Sequence, residues 1–379
     1  VSAPTRTSGA LRVDPEAGRR DRAAFVDLPY RLYRGHPVWV PPLRMAERKT
    51  MDRGKNPFFR HAEAQHFLAR RGGRVVGRIA ACENRRHNEF HGDRTGFFGW
   101  FDCEPDPEAA AALVEAAKGW VAARGLASVR GPVCYSTNDV CGVLVEGFED
   151  PPTLLMPYNR PDYDALLRGA GLAPVKDLLA YWVPAQTPVP ERFERVCERA
   201  LSRSGVVIRT LDPRRFADEV RVVKDLYNRC WERNWGFVPA TDEEFDHAAK
   251  DLKLVVDPRM FLIAERAGRP VGFAGVVLDL NQALRGLDGR LLPFGWAKVL
   301  LRKRRVRRVR ILILGVLPEA RGRGIDAAFF LRSIHGARAC GYEGGEASWI
   351  LEDNHRMRAD LEAVGARVSK RYRLYEALL

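Results

Sequence analysis

The residues best placed to do chemistry form one continuous run. Val309-Arg310-Ile311-Leu312-Ile313-Leu314-Gly315-Val316-Leu317 reads as a buried strand, Pro318 to Ile325 as a turn, and the stretch from Asp326 as the start of a helix. Within the turn, Arg321-Gly322-Arg323-Gly324-Ile325 interleaves two glycines with two cationic side chains. Glycine lets a backbone approach a ligand closely, a helix N-terminus offers N–H groups without partners, and Arg321 and Arg323 add positive charge. Together they suit the cradling of a phosphate or pyrophosphate. Asp326 is the discordant residue: a carboxylate favours the helix dipole but disfavours a nearby phosphate, so its side chain is expected to point away from the ligand. Two other readings compete. Gly322-x-Gly324-x-x-Ala327 mimics a dinucleotide fingerprint, but too few residues follow Ala327 for the further βα units of that fold. Alternatively, the glycines simply cap a turn.

A second polar run, Gly345-Glu346-Ala347-Ser348-Trp349-Ile350-Leu351-Glu352-Asp353-Asn354, reads as a strand leading into a helix capped by Asp353 or Asn354. His87 and His91, beside Glu83, have the spacing of metal ligands on a helix. No partner of comparable spacing accompanies them, and Asn84 to Arg94 reads as a charged loop, so no metal is expected.

The elements that must position these runs come from an internal repeat. Phe67 to Gly77 and Phe261 to Gly272 both read strand, glycine turn, strand. Upstream, Leu32-Tyr33 with Trp39 and Pro41 returns as Leu226-Tyr227 with Trp235 and Pro239. Downstream, Ala111-Ala112-Leu113 running to Gly125 returns as Ala327-Ala328-Phe329 running to Gly341, each an amphipathic helix closed by a glycine. Gly171 and Tyr181 return as Gly365 and Tyr375. Two domains follow, 1–185 and 186–379, joined through the proline-rich Pro184 to Pro190. Copy two carries an insertion over 286–308, and copy one carries another near Gly131 to Thr153. Where copy two has its glycine turn, copy one has Glu104-Pro105-Asp106-Pro107-Glu108, which is acidic and lacks glycine. Copy one is therefore expected to be a degenerate partner that shapes the acceptor side.

Composition limits what the chain can be. No apolar run approaches the ~20 residues of a membrane-spanning helix, and Val1 to Gly18 reads as a frayed tail rather than a signal peptide. A cytoplasmic protein is expected. The seven cysteines are odd in number and contain no Cys-x-x-Cys pair, so they are expected to be reduced, mostly buried thiols. A net charge of +14 asks for a polyanionic partner, and much of it lies in the insertion. There Leu291-Leu292-Pro293-Phe294-Gly295-Trp296-Ala297-Lys298-Val299-Leu300-Leu301 is followed by Arg302-Lys303-Arg304-Arg305-Val306-Arg307-Arg308. An apolar stretch joined to a polybasic run suits an anionic membrane surface, contacted through 291–308. Nucleic acid would explain the arginines but not the leucines. Core packing would explain the leucines but not their place in an insertion. No feature sets an oligomeric state.

The turn Arg321-Gly322-Arg323-Gly324 resembles the Arg/Gln-x-x-Gly-x-Gly/Ala motif with which GNAT acyltransferases grip the pyrophosphate of coenzyme A, departing from it at Asp326. Trp39-Val40-Pro41-Pro42-Leu43, Lys55-Asn56-Pro57-Phe58-Phe59, Trp231 to Pro239 and Ser348 to Asn354 are similar to a bacterial subfamily of tandem GNAT-like proteins that includes the bacterial ceramide synthases. The resemblance implies an α/β fold with a mixed sheet, built from two tandem GNAT-like domains, with acyl-CoA as co-substrate and no metal. It implies that the strand at Leu314 and Val316 pairs with the pantetheine arm. It further implies transfer of a fatty acyl group to the amine of a long-chain base. N-acylation needs a base for the acceptor ammonium and hydrogen bonds to the thioester carbonyl; Glu352 is the candidate base and Asn354 the candidate positioning group. The competing reading makes Glu352 a surface residue and Asn354 only a cap. The family's Tyr-x-x-x-Gly stretch stands here as Leu361-Glu362-Ala363-Val364-Gly365, so any phenolic acid must come from Tyr372 or Tyr375, with Tyr372 the candidate. Two further functions stay open: a CoA- or lipid-binding protein without turnover, and a GNAT enzyme with a soluble amine acceptor such as a peptide, amino acid or aminoacyl-tRNA.

Overall fold

A computed structural model describes residues 9–379. Copy one runs β1 (Leu11–Pro15), α1 (Arg19–Leu32), α2 (Arg44–Thr50), β2 (Ala62–Arg71), β3 (Arg74–Asn84), α3 (Arg85–His91), β4 (Thr95–Cys103) and α4 (Pro107–Ala122). It continues through β5 (Ser128–Gly131), β6 (Val143–Glu146), α5 (Tyr163–Gly169) and β7 (Ala173–Pro184). A connecting helix, α6 (Glu191–Ser204), leads into copy two: β8 (Val206–Thr210), α7 (Phe216–Trp231), α8 (Asp242–Leu252), β9 (Leu262–Arg266) and β10 (Arg269–Leu278). Then come α9 (Asn281–Leu284), α10 (Gly295–Lys303), β11 (Arg308–Val316), α11 (Ile325–Ala339), β12 (Gly344–Leu351), α12 (His355–Ala363) and β13 (Arg367–Leu378). Apart from the insertions and the short helices α3 and α9, the order strand, two helices, three strands, helix, strand, helix, strand occurs twice, as the repeat requires.

Two short segments differ from the sequence reading. Residues 1–8 of the expected tail lie outside the described residues, but Leu11–Pro15 pairs antiparallel with β2, from Leu11↔Arg71 to Pro15↔Phe67. An edge strand needs only one apolar side, and Leu11 and Val13 supply it by packing on the core of copy one. The stretch expected as a charged loop holds α3, whose N-terminus is capped by the Asn84 side chain accepting from His87 N at 3.2 Å. The apolar side of this short helix is a single buried residue, His87, which left no helical periodicity to read.

The chain forms two compact units that exchange segments. Unit 1 holds the residues up to Asp177, together with Leu284–Gly295 and Tyr372–Leu379; unit 2 holds Leu178–Ala283 and Trp296–Arg371. The spatial division thus differs from the linear one at 185/186. In unit 1, β2, β3 and β4 form an antiparallel run, β4 pairs parallel with β5, and the end of β13 closes on β5 from Tyr375↔Gly131 to Leu378↔Ser128. In unit 2, β8 to β11 pair antiparallel, β11 pairs parallel with β12, and the end of β7 closes on β12 from Gly344↔Pro184 to Leu351↔Leu178. Each copy's last strand therefore completes the other copy's unit.

Helices cover the sheets by burying one stripe. α4 buries Ala109, Ala110, Leu113, Val114, Ala117 and Val121, the three- and four-residue spacing of an amphipathic helix. α11 is apolar over more of its circumference and buries eight residues, from Ile325 to Ala337, between the unit 2 sheet and α6. All seven cysteines are free thiols, and five are buried. No helix among the described residues is long and apolar enough to cross a membrane.

Candidate acyl-CoA site

The site is built at one place in unit 2, where two neighbouring strands part. β11 and β12 run parallel from Arg308↔Gly344 to Ile311↔Ala347, and there their pairing stops. One residue later β11 bulges: Gly275 pairs with Ile313 and Val276 with Ile311, leaving Leu312 as the extra residue. Beyond the bulge β11 stays on β10, with Leu314 opposite Ala274 and Val316 opposite Gly272. β12 stays on β7, with Ile350 opposite Leu179. The stretch containing Leu314 and Val316 thus has a backbone edge with no β12 partner, as an extended ligand would require.

The glycine turn follows directly. Gly322 has φ +78°, and a Cβ there would meet open space. Gly324 has φ +74° and is the N-cap of α11, with no side chain capping the helix. A Cβ at Gly324 would lie 2.9 Å from the Ala200 Cβ of α6, so glycine is needed for contact as well as for conformation. The first N–H groups of α11, starting at Ile325, are therefore left for an external acceptor. Copy one shows the contrast. There Asp106 accepts from Ala109 N at 3.1 Å and so caps α4 itself, while Arg71 bonds the carboxylates of Asp106 and Glu108 at 2.9 and 2.7 Å.

The two arginines of the turn have different positions. Arg321 donates through Nε to the Val316 carbonyl at 3.1 Å and through Nη2 to the Cys230 carbonyl at 2.7 Å, fastening the turn to β11 and α7. Its positive charge remains local, but these donors are engaged within the protein, and so is the Val316 oxygen. Arg323 is half-buried, and its Nε is enclosed with no hydrogen-bond partner among the described residues. An uncapped helix end beside an orphaned guanidinium nitrogen fits a pyrophosphate. Asp326 pairs with Arg356 of α12 at 3.2 Å. Burial pushes its carboxyl above the usual aspartate range, against the opposing pull of Arg356 and Arg321.

The proposed catalytic residues fall in separate places. Glu352 is half-buried just past the end of β12, and its carbonyl accepts from Arg358 Nη1 at 2.8 Å. Arg358 Nε also donates to the Tyr181 hydroxyl at 3.2 Å, tying this corner to β7. Asn354 caps α12, accepting from Met357 N at 3.2 Å. Tyr372 is fully buried and belongs to unit 1. Tyr375 donates to Asp164 at 2.5 Å; burial, with the Asp164 carboxylate, pushes its phenol up.

One group escaped the sequence reading. Arg310, Glu346, Ser348 and Lys370 are each at most 3% exposed. Arg310 Nε donates to Ser348 Oγ at 2.9 Å, Ser348 Oγ to Glu346 at 2.9 Å, and Lys370 Nζ to the other Glu346 oxygen at 2.9 Å. Buried charges persist only when paired and hydrogen-bonded, and this set joins β11, β12 and β13 at the last residues before the strands part. The available signal was one charge inside each of two apolar strand runs, Arg310 in β11 and Glu346 in β12; Lys370 lies among several charges of β13 and does not stand out.

A bulged strand, a parted parallel neighbour and an open glycine turn, carried on a doubled fold, define a tandem GNAT-type acyltransferase. Residues 220–365 match the acetyltransferase (GNAT) family. Over 98% of its length the chain is 38% identical to the bacterial ceramide synthase of Caulobacter vibrioides (strain NA1000 / CB15N), covering 99% of that protein. It is also 36% identical to protein YghO of Escherichia coli (strain K12), over 94% of this chain and 93% of that one. Among solved structures, a tandem GNAT protein from the clavulanic acid biosynthesis pathway has a similar fold at 15% identity, with a TM-score of 0.54 over 97% of this chain and 98% of that one. A probable N-acyltransferase from Enterococcus faecalis V583 does so at 12% identity, with a TM-score of 0.53 over 97% and 73%. The chain belongs to the GNAT acyltransferase family. It is an acyltransferase of a family that uses acyl-CoA as co-substrate.

Proposed function

We propose that the chain transfers a fatty acyl group from coenzyme A to the amine of a membrane-derived long-chain base, with the acyl-CoA held in unit 2. The observation that carries this reading is the uncapped N-terminus of α11 beside the parted strands. In this scheme the Ile325 end of α11 and Arg323 hold the pyrophosphate, and the edge of β11 left without a β12 partner, at Leu314 and the Val316 amide, receives the pantetheine arm. Glu352 takes a proton from the acceptor ammonium. The amine nitrogen then attacks the thioester carbonyl, the C–N bond forms as the C–S bond breaks, and the nitrogen's surplus proton leaves with the thiolate. Asn354 contributes through its cap, which sets where β12 hands over to α12. Tyr372, being fully buried, is given no proton-transfer role.

The lipid acceptor is supported by the relative's name and by the insertion. On α10 of unit 2, Trp296 is 52% and Leu301 71% exposed. Arg304 and Arg305, just past its end in the same unit, are exposed as well. Such a patch suits the interface of an anionic bilayer. Not all of the polybasic run is available: Arg307 donates to the Gly341 carbonyl at 2.9 Å, and Arg308 lies over the Trp182 ring at 4.8 Å. The test is thiol release from mixed acyl-CoAs, with and without sphingoid bases. Release that depends on a long-chain base supports the proposal; release only with peptides or amino acids assigns a soluble acceptor and overturns it.

A further inference from the structure

We propose that unit 1 holds a second ligand site, for a phosphate-bearing anion, in the cavity between α1 and the 285–290 segment. The cavity measures about 810 Å³, within the ~300–1,000 Å³ usual for small-molecule sites. One side is a single face of α1, where Ala24, Asp27, Leu28 and Arg31 recur at helical spacing, with Arg34 in the turn just past its end. Six arginines line it: Arg31, Arg34, Arg44, Arg74, Arg285 and Arg290.

The carboxylates nearby do not balance them. Asp27 and Asp288 both pair with Arg44. Glu104 is shared by Arg31 at 3.3 Å and Arg74 at 2.5 Å. Arg34 and Arg290 are exposed to the cavity mouth and have no ion pair among the described residues. Burial first, and the neighbouring Arg74 charge second, lower the Arg31 pKa against the opposing pull of Glu104. Arginines arranged around a concave wall suit the oxygens of a phosphate ester.

The wall is built rather than draped. The Arg44 amide donates to the Gly289 carbonyl at 3.0 Å, and Arg285 donates to the Pro37 carbonyl at 2.5 Å. Gly289 has φ +68°, and a Cβ there would lie 2.4 Å from the Pro42 oxygen, so only glycine lets the segment seat on this surface. Trp39, in the lining, stacks on Tyr33 with centroids 5.0 Å apart and gives the cavity an apolar floor. Two residues after Arg290 the chain exposes Leu292, then Phe294, in the same unit. A phosphate carried on acyl chains would meet apolar side chains as it left the cavity. The site uses none of the residues assigned to acyl transfer and stands apart from that reading.

The test uses the full chain and two soluble probes, dioctanoyl phosphatidylglycerol below its micellar concentration and glycerol 1-phosphate, followed by tryptophan fluorescence. Wild-type protein is expected to bind at least one of them saturably. Arg34→Ser with Arg290→Ser, both exposed and so tolerant of change, is expected to weaken that binding by about tenfold or more, with acyl-CoA affinity unchanged. Binding of the lipid alone assigns the cavity to a phospholipid headgroup, and binding of both probes assigns it to phosphate esters generally. Gly289→Val, which displaces the wall, should abolish either. The proposal is overturned if neither probe binds, if the double variant binds as well as wild type, or if Arg304→Gln with Arg305→Gln, just past α10, causes the same loss.

Discussion

Arg356 holds the Asp326 carboxylate at 3.2 Å, so the one acidic residue in the first turn of α11 is tied to α12. Burial still raises the Asp326 pKa, and the neighbouring Asp360 carboxyl is raised too, by burial first and Asp326 second. A raised acid binds its proton in the folded chain at pH values where the unfolded chain has released it, so stability increases as pH falls through this window and decreases as pH rises. Asp326→Asn is expected to flatten that acid-side dependence in thermal melts. It should also tighten CoA binding near neutral pH, by removing a carboxylate from the phosphate end of the helix. Calorimetry showing weaker CoA binding in this variant would place the pyrophosphate elsewhere.

Gly322 offers a cleaner probe of the turn than Gly324. A side chain at Gly324 collides with Ala200, so loss of CoA binding there would mix charge with misfolding. Gly322 faces open space at φ +78°, a conformation that aspartate tolerates better than most residues. Gly322→Asp is expected to weaken CoA by about tenfold or more with little change in melting temperature. In copy one, Glu108→Lys should leave CoA affinity as it was, because Asp106 still caps α4.

Glu352→Gln keeps the shape of the corner while removing the base. It is expected to lower kcat by roughly 10²-fold or more, with acyl-CoA affinity intact. Arg358→Gln removes the bond to the Glu352 carbonyl and should lower kcat by a smaller factor, with acyl-CoA affinity again intact. Equal losses of kcat and CoA affinity in Glu352→Gln would sink its assignment as base.

The exposed end of the polybasic run sets the membrane prediction. Arg304→Gln with Arg305→Gln removes two attractions of about 1 kcal/mol each, so sedimentation with anionic vesicles should weaken by about thirtyfold at low salt. Turnover of a bilayer-embedded base should fall with it, and turnover of a short-chain analogue should hold. Arg307 and Arg308 are poor probes, since each has a structural contact.

The repeat made the order of elements legible because strand-turn-strand hairpins and glycine-closed helices leave local patterns. The turn at Arg321 to Gly324 was legible for the same reason: positive φ values select glycine. Pairing between distant strands leaves no local mark, so the exchange of β7 and β13 could not be read from the linear sequence. The buried set of Arg310, Glu346, Ser348 and Lys370 was hidden likewise, since each charge looks like an irregularity until its partners are known. The second role of Arg321, as a fastener to the Val316 and Cys230 carbonyls, required coordinates.

The exchange also governs how the chain comes off the ribosome. Most of unit 1 is made early, yet the strand that covers β5 is synthesised only after the rest of copy two, with Leu378 opposite Ser128. Until then β5 presents an unpaired edge, open to wrong partners, while all of copy two emerges. The closing contact spans most of the chain and is correspondingly slow to form. Severed at the 185/186 linker, neither half carries its own closing strand, so the halves should form a native pair only when they are produced together.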